Sequence, residues 1–136
     1  MVCLYCGGST QVTNSRLQKN HNQVWRRRTC IACGSIFTTH ERPDLESGLR
    51  VQMADGGLLP FHREQLLISI YESCKHRLQP ASDATALTDT ITARLISHAA
   101  QGLLERDAVA TVAHDVLARF DQAAATIYTA YHPVAK

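Results

Sequence analysis

The side chains in this chain best suited to chemistry are its cysteines, and four of them come in two matched pairs. Cys3-Leu4-Tyr5-Cys6-Gly7 and Cys30-Ile31-Ala32-Cys33-Gly34 are CxxCG units separated by residues 7–29. Each unit turns two thiols toward one point, and two facing units complete a tetrahedral all-sulfur shell of the kind zinc favours. A closed shell leaves no position for substrate, so Cys3, Cys6, Cys30 and Cys33 are read as ligands of a structural Zn2+ and not of a catalytic one. Iron is another cation that such a shell accepts. A pair of disulfides is the alternative without metal, and His21 and His40 are weaker candidate ligands.

The elements that must present these thiols are strands. Gln11-Val12-Thr13 and Gln23-Val24-Trp25-Arg26 alternate polar with apolar residues, and Ile36-Phe37-Thr38-Thr39 continues the β-prone character. A small antiparallel sheet clipped at one end by metal follows, and so few large apolar side chains make the cation a main source of its folding free energy. Along Trp25-Arg26-Arg27-Arg28, alternation sends Arg26 and Arg28 to one face and Arg27 to the other. Guanidinium forks match phosphates and the O6/N7 edge of guanine, so Arg16, Arg26, Arg27, Arg28 and Arg42 are expected to form a DNA-binding surface. The bland alternative is a solvated strand with no partner. Charge supports the first reading: residues 1–50 carry seven Lys or Arg against three Asp or Glu, whereas the remainder carries seven against nine.

With 136 residues, 45% of them hydrophobic and 19% charged, the chain is too short for a large enzyme and too apolar for a disordered one. No apolar run is long enough to span a bilayer, and the first residues lack the features of a signal peptide, so a cytoplasmic protein is expected. No Ser/His/Asp or Cys/His constellation accompanies a recognisable motif, and no enzyme is expected.

Arg42-Pro43-Asp44-Leu45-Glu46-Ser47-Gly48 has linker composition and places the domains at 1–46 and 47–136. Beyond it, Asp55-Gly56-Gly57 between two short apolar runs signals a hairpin. Apolar residues at three- and four-residue spacing (Leu66, Leu67, Ile70, Tyr71, Cys74, Leu78) predict a helix over 62–78, with Cys74 as a core thiol. A second helix, capped by Ser82 or Asp83, carries Leu87, Ile91, Leu95 and Ile96 and stops near Gly102. Asp107 caps a third with Val116, Leu117 and Phe120, and Asp121 starts a short fourth with Ile127, Tyr128 and Tyr131. The fold class is therefore α+β: a small antiparallel ribbon, then a β-hairpin and about four helices.

Taken together, Cys3-x-x-Cys6, Val12-Thr13-Asn14-Ser15-Arg16, Arg26-Arg27-Arg28-Thr29-Cys30-x-x-Cys33 and Phe37-Thr38-Thr39-His40-Glu41-Arg42 resemble the zinc ribbon of the NrdR family of bacterial transcriptional repressors. Asn14 stands where that family usually has Asp, and His40 where it has an aromatic. The stretch Val51-x-x-x-Asp55-Gly56-x-x-x-Pro60-Phe61-x-Arg63-Glu64-x-Leu66 is similar to the ATP-cone that follows the ribbon in these proteins, and the tail from Phe120 to Tyr131 is similar too. The resemblance implies repression of ribonucleotide reductase genes, a double-stranded DNA operator, and a homo-oligomer whose assembly responds to ATP and dATP. It points to Val51, Asp55, Gly56 and Arg63 as nucleotide-handling residues, and His62, outside the matched motif, is a further candidate that with Arg63 could compensate in part for the cations this chain lacks.

The cone departs from the family pattern where phosphates are held. Met53-Ala54 stands in place of Lys-Arg, Leu59 in place of Glu and Gln65 in place of Lys. Each lost charge-assisted contact is worth about 1.5–3 kcal/mol. A degenerate cone that serves only packing, within a protein-interaction adaptor that binds no nucleotide, is the alternative reading.

Overall fold

Alternating side chains and a high share of Thr, Val and aromatic residues make three strands of the first part of the chain, β1 (Thr10–Gln18), β2 (Gln23–Cys30) and β3 (Ile36–Glu41). In the computed structural model, which describes residues 1–134, they pair antiparallel in the order β1-β2-β3. The register slips between Val12 and Asn14, so Thr13 is an extra residue on β1, and its hydroxyl donates to the Arg27 carbonyl at 3.3 Å. A single turn of 3-10 helix, Lys19–His21, ends at Asn22 with φ 45° and returns the chain into β2. The buried apolar cluster of this unit consists of Cys3, Cys30 and Phe37.

The chain separates after Asp44 into a second unit that begins at Leu45. Its elements are α1 (Leu45–Gly48), β4 (Arg50–Gln52), β5 (Leu58–Pro60), α2 (Arg63–Ser73), α3 (Pro80–His98), β6 (Leu103–Glu105), α4 (Arg106–Phe120) and α5 (Gln122–Tyr131). The hairpin β4–β5 forms as expected. The third strand does not follow from sequence: β6 lies parallel to β4, giving the order β5-β4-β6. A parallel pair needs a long crossover, here supplied by α2 and α3, and Leu103-Leu104-Glu105 alone is too short to show a strand period.

Ile70, Ile91, Leu95 and Leu117 are wholly buried at the centre of the helical core, and Ala84, Ala113, Ala124 and Ala125 let the helices approach closely. Cys74 is equally buried, and burial pushes its thiol pKa up, in keeping with its reading as a core residue.

Several helix ends differ from expectation. α2 stops at Ser73, so Leu78 is fully exposed and belongs to no stripe. α3 begins at Pro80, whose fixed φ suits a first helical position, which leaves Ser82 and Asp83 inside the first turn, and the helix ends at His98. α4 begins at Arg106, with Asp107 in its first turn rather than at the cap. Ile96 and Phe120 are exposed, at 44% and 41%. Asp121 does cap α5: its Oδ1 accepts from the amides of Ala123 and Ala124 at 2.9 and 3.1 Å.

The early end of α2 has a purpose in the packing. Arg77, just past it, donates from Nε to Asp83 at 2.7 Å and from Nη1 to Asp121 at 2.8 Å, and its guanidinium lies 4.3 Å from the Phe120 ring centroid. One side chain thus ties together the ends of α2 and α4 and the starts of α3 and α5. Arg77 first, then His76 and the capping amides, hold the Asp121 carboxyl well below the usual carboxylate range. A carboxylate with a depressed folded pKa stabilises the fold above its ordinary value and loses that contribution as pH falls through the depressed one. Asp121→Ala is therefore expected to lower the melting temperature of the helical circular-dichroism signal at neutral pH. It should also flatten the loss of stability that the unsubstituted protein shows on acidification below about pH 4. An unchanged acid limb would show that Asp121 carries none of it.

Candidate metal centre and nucleic-acid face

The two CxxCG turns are built alike. Gly7 and Gly34 both sit at φ 71°, and their amides donate to the carbonyls of Cys3 and Cys30 at 3.1 Å. The left-handed region at the end of each turn is what glycine allows at low cost. The turns bring all four Sγ atoms within 4.8 Å of one another, with Cys3 to Cys33 at 3.8 Å and Cys6 to Cys30 at 3.5 Å. Bonds of about 2.3 Å to a tetrahedral zinc require sulfur edges of about 3.8 Å, so the donor set fits that ion. The amides of Tyr5, Gly8 and Cys33 each donate to a sulfur, on Cys3, Cys6 and Cys30 respectively, at 3.4 Å. The fourth sulfur, on Cys33, lies 3.2 Å from the Ser35 hydroxyl oxygen.

Ser35, through its side chain and then its amide, brings the Cys33 thiol down to about 6. At Cys6 the Gly8 amide lowers the thiol, but hydrogen bonds with Cys30 and Cys33 outweigh it and push the value up to about 12. Four sulfurs this close cannot all ionise unless a cation takes up their charge, and a structural Zn2+ held by Cys3, Cys6, Cys30 and Cys33 does so.

The strand pairing sorts the arginines. Residues directly opposite one another share a face. Arg26 faces Ser15 and Thr39, and Arg28 faces Val12 and Phe37, on the side that holds the Phe37 cluster. There Arg26 pairs with Glu41 at 3.1 Å and Arg28 donates from Nε to the Thr39 hydroxyl at 3.2 Å. Nε of Arg26 is shielded from solvent and takes no partner among the described residues. Arg27, opposite Asn14 and Thr38, points to the other side, where it is exposed. Arg16 lies opposite Trp25 on that same side, its guanidinium 5.9 Å from the ring centroid. Arg42, just beyond β3, donates from Nε to Oε1 of Gln23 at 2.7 Å, and the buried Gln23 amide donates in turn to Gln18. Sequence alternation thus sorted Arg26, Arg27 and Arg28 correctly, while the anchoring of Arg42 through Gln23 had no local signal.

In the second unit a cleft of about 270 Å³ opens between the sheet and the helices. Val51 and His62, two of the five residues expected to handle a nucleotide, line it. The other three serve elsewhere. Asp55 accepts from the Gly57 amide at 2.9 Å within the hairpin turn, Gly56 sits at φ 84° in that turn, and Arg63 pairs with Asp89. The cleft walls also include Met53, Leu59 and Gln65, three of the four departures already noted, together with Arg106, Asp107, Tyr128 and His132. These last four come from the start of α4 and the end of α5, so no spacing within one segment could have announced them. Tyr128 and His132 stack with ring centroids 4.4 Å apart. Burial first, and Arg106 second, lower the His132 pKa, so this imidazole is neutral at physiological pH. Arg106 is the one Lys or Arg among the lining residues.

Residues 1–41 match the family described as the N-terminal domain of transcriptional repressor NrdR-like proteins. Over longer stretches the chain is 40% identical across 91 residues to the transcriptional repressor NrdR of Symbiobacterium thermophilum, covering 67% of this chain and 60% of that one. It is 38% identical across 96 residues to the protein of the same name from Geobacter sulfurreducens, covering 70% and 63%. With that of Nitrosomonas eutropha it shares 31% across 107 residues, covering 78% and 66%. The chain thus spans roughly 60% of the length of these relatives, and the aligned stretches extend well past the ribbon.

Trp25 is the single tryptophan and reports on the ribbon alone. Chelation of the metal, or Cys30→Ser, is expected to unfold the ribbon, seen as a red shift of the Trp25 emission, while the helical circular-dichroism signal survives. Metal analysis should return one zinc per chain. A blue-shifted Trp25 emission that persists in metal-free protein would refute this dependence.

Proposed function

Because the chain belongs to the NrdR family, we propose that it is a zinc-dependent transcriptional repressor whose ribbon grips a double-stranded DNA operator and whose second unit governs the assembly of copies on that operator. The observation that carries this reading is a metal-clipped sheet on which arginines outnumber acids, built so that exposed guanidinium groups project from paired strands. Arginine on a rigid strand supplies charge and a planar donor fork at a defined position, as recognition of duplex phosphates and base edges requires. By the family resemblance the operators lie upstream of ribonucleotide reductase genes, the protein acts as a homo-oligomer, and it works in the cytoplasm as a regulator and not an enzyme.

The second unit is the regulatory part. Val51 and His62 in its cleft support a cone-like ligand site, and the scarcity of cations there supports weakened handling of a triphosphate. ATP and dATP are thus the ligands that the resemblance suggests, with affinities reduced by the substitutions at Met53, Ala54 and Gln65.

Two measurements test the proposal. Fluorescence anisotropy of the zinc-loaded protein on a promoter duplex is expected to show affinity that falls linearly in a log–log plot against salt and vanishes on chelation. Binding that is absent, or insensitive to salt, would hand the chain to the adaptor reading. In calorimetric titration, ATP and dATP are each expected to give heat only well above micromolar concentration. Micromolar binding would restore a full nucleotide sensor with substituted contacts.

A further inference from the structure

The ribbon's sheet has two dissimilar faces, and the difference tells which of them meets DNA. One face carries Arg16, Trp25, Arg27 and His40 and is joined by Arg42; the register gives it no acidic residue. Its cations are not neutralised, and two of them are held in place. Arg16 rests over Trp25, and Arg42 is held through Nε by a buried amide. Arg27 stands exposed, with no side-chain hydrogen bond or ion pair to another described residue. Such ordering removes part of the entropy that side chains otherwise lose on binding.

The opposite face is arranged for cohesion. Arg26 is engaged by Glu41 and Arg28 by Thr39, and Arg28 lies opposite Phe37, which is buried with Cys3 and Cys30. DNA approaching that side would meet the Glu41 carboxylate and would have to break its pair with Arg26, besides covering the exposed apolar side chain of Leu17.

We propose that the face bearing Arg16, Arg27 and Arg42 is the surface that lies on the phosphates of duplex DNA, and that Arg26 and Arg28 brace the ribbon from behind. The assignment rests on the DNA-binding reading given above and refines it. Duplex DNA is favoured over a single strand because Trp25 is the one Trp, Tyr or Phe that the register puts on this face and is itself half-buried, so the face lacks a row of open rings on which successive unpaired bases would stack.

The test uses the whole zinc-loaded protein and a promoter duplex, with affinity measured across a salt series and ribbon stability followed by Trp25 emission. Arg27→Ala is expected to weaken binding about tenfold and to make the log–log salt slope shallower by about one, with an unchanged unfolding midpoint. Arg16→Ala and Arg42→Ala should act in the same direction. Arg26→Ala and Arg28→Ala should instead lower the unfolding midpoint and keep the slope; should either fail to fold, Arg26→Gln and Arg28→Gln keep most of the side-chain stem and make the same comparison. Loss of slope on changing Arg26 or Arg28 in folded protein, or a full slope in Arg27→Ala, would overturn the assignment while leaving DNA binding intact. A wild-type protein with no salt-dependent duplex binding would overturn both.

Discussion

Closure of four thiolates around one cation is the constraint on which the ribbon depends. Its buried apolar cluster is Cys3, Cys30 and Phe37, so two of the three members are themselves metal ligands. A sheet of this size cannot hold itself together by apolar burial alone, and the metal supplies the cross-link that a larger core would otherwise provide. This arrangement has a functional consequence. Since neither face must be apolar throughout, both can carry arginines, and the amide donors that orient the sulfurs come from the knuckles and not from the exposed strands.

Electrostatic pairing then separates the two faces. Glu41 and Thr39 engage Arg26 and Arg28, whereas the other side has aromatic and amide supports that orient cations without cancelling their charge. An arginine matched to a carboxylate adds little to the field that draws a polyanion, and one matched to an amide or a ring keeps its whole charge for it. The bulge at Thr13 contributes by shifting the phase of β1 by one residue, which places Arg16 opposite Trp25 and on the same side as Arg27.

The second unit is organised on the opposite principle. It has an apolar core closed by close-packed alanines, with an ion-pair hub where Arg77 meets Asp83 and Asp121 at the helix ends. The hub explains why the helix stops at Ser73 although the apolar period continues to Leu78: extending it would carry Arg77 along the helix and away from both carboxylates. On another side of the same core, a cleft brings together Val51 and His62 with residues from α4 and α5. Its low cation content agrees with the substitutions at Met53 and Gln65, each of which stands where the family pattern has a cation.

What the sequence determined by itself was whatever rests on short spacing. The two CxxCG units named the zinc ligands, alternation through Trp25-Arg26-Arg27-Arg28 assigned faces to the arginines, and Asp121 before an Ala-rich run marked a cap. Each is set within a few residues by backbone geometry, so the local pattern suffices. Tertiary structure alone decided the rest. The parallel pairing of β6 with β4, the exposure of Leu78, and the contribution of Arg106, Tyr128 and His132 to one cleft all join segments far apart in the chain. So does the choice of which arginines are engaged, because Glu41, Thr39 and Gln23 reach them only once three strands are in register. Such contacts depend on chain crossovers and packing, and no period within a single element records them.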